Sequence, residues 1–157
     1  MKLTFTILGV FVLVLVAATE TSAQSNPFTG TWKMNAAKTK IKAVAPLKDD
    51  TVTITTANGE DVIEGDGTAT DGSLTHRKFA APVKGGTGKF LLAGPYDGVS
   101  VKVPNENTRD VTETKAGKEA LHFTAVVSKD GKTMTVTVKG VDAQGKPLSG
   151  VAVYEKQ

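Results

Sequence analysis

The sequence predicts an all-β fold, an antiparallel up-and-down barrel of about eight to ten strands. Three observations carry that expectation. Short segments rich in Val, Ile and Thr alternate apolar with polar residues at period two, the pattern of strands with one face to a core and one to water. Asx-Gly dipeptides recur between them, at Asn58-Gly59, Asp66-Gly67, Asp71-Gly72, Asp97-Gly98 and Asp130-Gly131. Such dipeptides accept the positive φ that tight hairpin turns require. Beyond the first 23 residues no amphipathic helix of useful length is visible. Closing the sheet on itself would remove its exposed edges.

Residues 1–23 are read as a signal peptide and residues 24–157 as one domain. Lys2 supplies a positive start, residues 7–18 are apolar apart from Gly9, and Thr21-Ser22-Ala23 offers small residues for cleavage after Ala23. The apolar run is well short of the roughly 20 residues a spanning helix needs. The expected product is secreted or periplasmic, with no stable insertion in a membrane.

The first strand is expected at residues 31–34. Residues 35–50 form the longest irregular stretch, with room for a helical turn at Ala36-Ala37-Lys38 and a stop at Pro46. In residues 51–56, Val52 and Ile54 share one face and threonines the other; branched Cβ atoms suit Thr to a pleat. Strands over 61–70 and 74–80 flank Asp71-Gly72. Gly85-Gly86-Thr87-Gly88 is read as a flexible loop within the domain, followed by strands at 89–93, 99–103 and 109–115. Leu121, Phe123, Ala125 and Val127 share a face, as do Met134, Val136 and Val138. Gln144-Gly145 and Ala116-Gly117 are expected to end strands, and residues 150–155 form the last one.

Composition excludes several classes of function. The chain has no Cys, so disulfides and thiolate metal sites are ruled out. Its net charge is +3, with the lysines dispersed. A nucleic-acid partner would call for a concentrated basic face with aromatics to stack bases, and none is expected. A Cys-free exported chain of this size fits a bacterium better than a eukaryotic secretory pathway.

The motifs point away from catalysis. Gly85-Gly86-Thr87-Gly88-Lys89 is not a phosphate loop, because Val83 stands where the first Gly is needed and Phe90 where Ser or Thr is needed. His76 and His122 are far apart in sequence and outside any ligand-spaced cluster, so surface positions and no metal are expected. Glu60, Asp61, Glu64, Asp66 and Asp71 lack calcium-loop spacing and read as polar hairpin ends. No nucleophile sits beside a base in a recognisable pattern. The expectation is a protein that is not an enzyme and carries no cofactor.

Phe28-Thr29-Gly30-Thr31-Trp32-Lys33-Met34-Asn35 places Gly-x-Trp on the first strand, and Val151-Ala152-Val153-Tyr154-Glu155-Lys156 closes the chain. The opening resembles the Gly-x-Trp signature of lipocalins and the related fatty-acid-binding proteins, and the ending is similar to the last strand of the latter. With Ser128-Lys129-Asp130-Gly131-Lys132, these segments also resemble small exported lipocalin-like proteins of environmental bacteria. The resemblance implies a barrel with Trp32 plugging its closed end against the final strand. It departs at Ala152, where fatty-acid-binding proteins carry an Arg that helps hold a carboxylate. It also leaves too little room for their helix pair, so the mouth is open or covered by residues 38–42. The expected function is a small-molecule binding module for an apolar or amphipathic ligand. Its expected lining is Trp32, Met34, Val101, Phe123, Met134, Val136 and Tyr154. Ordinary core packing would use the same residues, so a filled barrel serving as a structural or interaction protein of the envelope is the alternative. An enzyme on the same scaffold is the third reading.

Overall fold

In the computed structural model residues 26–157 are described, so the signal peptide expected over residues 1–23 lies outside the described residues. Twelve strands form one sheet: β1 (Gly30–Met34), β2 (Lys40–Lys42), β3 (Leu47–Ala57), β4 (Glu60–Ala69), β5 (Leu74–Pro82), β6 (Gly86–Thr87), β7 (Lys89–Phe90), β8 (Gly98–Asn105), β9 (Thr108–Lys115), β10 (Lys118–Val127), β11 (Thr133–Val141) and β12 (Pro147–Lys156). Every pairing is antiparallel and the long strands follow one another in chain order, up and down. The first strand meets the last: β1 lies between β12 and β3, with Trp32 opposite Lys156 and Val52.

The ring is nearly closed, and its seam lies between β5 and β8. β6 pairs with β8 and β7 pairs with β5. Between them the Gly88 N–H donates to the Val99 carbonyl at 2.8 Å. A Cβ on Gly88 would stand 2.5 Å from the Ala80 carbonyl oxygen, so only glycine lets the crossing chain lie this close to β5. The expected flexible loop at residues 85–88 is therefore a stitched joint. The strand expected at 89–93 ends at Phe90.

Alternation sorts the side chains as expected. Val52 and Ile54, Val99 and Val101, Met134 and Val138, and Ala152 and Tyr154 are buried. Asn58-Gly59 and Ala116-Gly117 turn with both residues at positive φ, the backbone of a type I′ hairpin. Two of the expected turns are absent. Asp66-Gly67 lies inside β4, and Gly98 begins β8 with Asp97 bonded back to β9. The glycine at 67 serves sterics instead: a Cβ there would stand 2.6 Å from the Asp49 carbonyl oxygen and 2.9 Å from the Asp50 carboxylate.

Residues 35–50 are more ordered than their composition suggests. Ala36-Ala37-Lys38 makes a turn, not a helix, because Lys38 and Thr39 both return their N–H groups to the Asn35 carbonyl. The chain then rejoins β12 as β2, so β1 and β2 act as one strand broken by that turn. β2 pairs with β12 alone, and residues 47–50 of β3 pair with β4 alone. The wall parts between them.

Candidate functional site

The inward side chains do not fill the barrel. They enclose a cavity of about 580 Å³, within the roughly 300–1,000 Å³ of ligand pockets. Its floor is Phe28, whose ring lies 4.5 Å under the Arg109 guanidinium. Arg109 is held by its own Nη1, which donates to the carbonyls of Asn105, Glu106 and Thr108. The mouth is at the opposite end, framed by Ile41, Pro46, Leu47, Leu148 and residues 92–96.

Met34, Val101, Phe123, Met134, Val136 and Tyr154 all line this cavity. Trp32 does not. It is 0% exposed and packed in the floor with Phe28, Val52 and Val127. Its Nε1 donates to the Phe28 carbonyl at 2.8 Å, and the Lys156 ammonium stands 5.0 Å above its ring. Gly30 leaves the space that the Lys156 side chain crosses; a Cβ there would lie 2.7 Å from its Cε.

The walls are mostly apolar, but Arg77, Arg109, Asp61 and Glu113 enter them, and Asp50 is buried behind Arg77. Asp50, with a side chain 0% exposed, is the best bound. Arg77 donates to both its oxygens, at 3.1 and 2.6 Å, and the Tyr154 hydroxyl donates to Oδ2 at 2.7 Å. The fork geometry of Arg matches a carboxylate in this bidentate way. Burial opposes the Arg77 charge, but the Asp50 carboxylate outweighs it and raises its pKa. Burial, then the Asp50 charge, pushes the Tyr154 hydroxyl up, so it stays a donor. Gly65 and Gly67 on β4 clear the space this ion pair fills: a Cβ at 65 would run into the guanidinium.

Asp61 is buried and accepts from Asn26 at 2.8 Å and Thr56 at 2.6 Å. Its charge supports Arg109, whose pKa burial lowers. Glu113 is different. It follows Arg109 and Val111 on the cavity side of β9 and is 5% exposed. No hydrogen bond or ion pair from the described residues reaches its carboxylate. Burial pushes its pKa up to about 7, against a smaller opposing pull from Arg77. Tyr96, at the mouth, is pushed up to about 12 by burial and then by Glu113 and Asp142. Its hydroxyl donates to the Val141 carbonyl at 3.3 Å. The Thr75 hydroxyl oxygen is fully buried without a hydrogen-bond partner among the described residues.

The outer face of β4 and β5 brings Glu64, Asp66 and His76 within 4.8 Å of one another. His76 bonds Asp66 through Nδ1, and Lys78 takes Glu64 at 2.8 Å, so a hydrogen bond and an ion pair already engage these carboxylates. His122 lies on the outer face of β10, near Thr112 and Asp110.

Sequence reasoning passed over Asp50, Arg77 and Glu113. A signal existed in the parity of the strands: Arg109 and Glu113 share a face with Val111. The parity of β5 likewise puts Arg77 with Phe79 and Ala81. No family model matches the chain, and no curated protein matches it.

Proposed function

We propose that this is an exported small-molecule binding protein, lipocalin-like, that holds an apolar or amphipathic ligand inside its barrel. The observation that carries this reading is the cavity of about 580 Å³, closed below by Phe28 and open where β2 and β3 part. Burying ligand surface against Val101, Phe123, Met134 and Val136 would supply roughly 25 cal/mol per Å². The two methionines adapt to varied shapes. The leader of residues 1–23 supports export, and the reading is of a binder, not an enzyme. The Gly30-Thr31-Trp32 floor and the meeting of first and last strands support kinship with lipocalins.

The test is titration of the purified chain, residues 24–157, with the neutral fluorescent probe N-phenyl-1-naphthylamine. Saturable one-to-one binding, displaced by medium-chain lipids, is expected. An intact β fold that takes up no probe would favour the alternative of a ligand-free structural or interaction protein.

A further inference from the structure

We infer that the ligand carries a cationic, hydrogen-bond-donating head, such as a primary ammonium on an apolar body, and that Glu113 receives it. This deepens the binding reading and rests on it. The argument is one of charge balance inside the barrel. Among the described residues, Arg77, Arg109, Asp61 and Glu113 line the cavity and Asp50 is buried behind Arg77, while Lys78, which also borders the cavity, is paired with Glu64. Asp50 takes both terminal nitrogens of Arg77 and a phenol besides. Asp61 takes Asn26 and Thr56 and lies within electrostatic reach of Arg109. Glu113 has no hydrogen bond or ion pair among the described residues, and its burial is opposed only by the Coulombic pull of Arg77, whose terminal nitrogens are taken by Asp50.

A largely buried carboxylate without a hydrogen bond is costly, since its desolvation is repaid only in part, here by the pull of Arg77. Its raised pKa is the mark of that cost. The side chain points into the cavity, beside the apolar surface of Val111 and Leu121. A ligand ammonium there would give the carboxylate charge-assisted hydrogen bonds in a site shielded from water, the strong kind. A carboxylate ligand meets the opposite situation. The Arg77 fork is already filled by Asp50, Arg109 is stacked on Phe28 in the floor with Nη1 given to three carbonyls, Ala152 offers no replacement cation, and Glu113 repels the incoming charge.

The experiment uses octylamine, octanol and octanoate as competitors of N-phenyl-1-naphthylamine at about pH 8, where Glu113 is mostly ionised. The three share one apolar chain and differ in the head. Octylamine is expected to displace the probe about tenfold more tightly than octanol, the scale of one charge-assisted hydrogen bond, with octanoate weakest. In Glu113→Gln the probe still binds and the preference of amine over alcohol collapses. Equal affinity for amine and alcohol, or tightest binding of octanoate, would overturn the cationic assignment while leaving the binding cavity in place. Failure of the wild-type chain to take up the probe at all would remove both. If Glu113→Gln does not fold, the ranking of the three ligands on the wild-type chain still decides.

Discussion

Replacing Glu113 by Gln should stabilise the protein, and by an amount that depends on pH. The Glu113 carboxyl has its pKa raised from 4.5 to about 7 by burial. In the native state it therefore holds a proton that the unfolded chain has already released. The contribution of Glu113 to stability must then fall as pH rises from 4.5 to about 7 and stay lowered above that. One pKa unit corresponds to about 1.4 kcal/mol, so the penalty at about pH 8 is on the order of 3 kcal/mol. A neutral Gln amide and a protonated Glu carboxyl bear similar burial costs, so wild type and variant should tie near pH 4. Urea denaturation followed by emission of Trp32, the single Trp, measures both. With no ligand added, the midpoint of Glu113→Gln should move up at about pH 8 with an unchanged m-value, a pure change in stability. Equal midpoints at about pH 8, or a wild-type stability that rises through this window relative to that of Glu113→Gln, would refute the reasoning.

Arg77→Met strands the Asp50 carboxylate and should cost about 3–5 kcal/mol, while the double change with Asp50→Leu recovers much of the loss; urea midpoints check both. Trp32→Ala should cost about 3–5 kcal/mol, a large part of the roughly 5–15 kcal/mol that holds a domain folded. The native protein should show blue-shifted Trp emission resistant to iodide, and red-shifted, readily quenched emission would reject the floor placement. Gly88→Val sets a side chain against the Ala80 carbonyl, so faster amide exchange at residue 88 and a lower Tm are expected. Unchanged exchange there would show that the seam does not depend on that contact.

Much of the barrel is legible in the chain because period-two alternation and Asx-Gly turns are local signals. Val52 with Ile54, or Met134 with Val138, needed only their neighbours to declare a face. The same dipeptide misled at Asp66-Gly67, since its glycine answers to the Arg77–Asp50 pair brought from other strands and not to a turn. Asp50 and Arg77 are 27 residues apart, and Asp50 and Tyr154 are 104 apart; nothing local announces such a bond. β2 was hidden in the stretch 35–50 because it is held by pairing with β12, and not by its own three residues. Face parity is the local signal for the apolar lining, and the same parity on β9 sets Glu113 inward with Val111.

The pairing of β1 with β12 sets the order in which the chain can assemble. Apart from β1 and β3, joined across residues 35–46, the other directly paired long strands are hairpin partners, reached by closing a short loop. Asn35 and Glu155, which bond across the junction at 2.9 Å, are 120 residues apart. Closure entropy grows as about (3/2)RT ln n, so this joint costs roughly 2 kcal/mol more than a hairpin of ten residues if made from an unfolded chain. It is expected to form late, once the hairpins have shortened the distance to be searched. The residues that make the floor, Trp32 against Val52 and Lys156, would then acquire their burial only in the step that completes the ring. On that route the partly folded chain carries an open sheet with its apolar face bare, and Trp32 emission would report the end of folding and not its beginning.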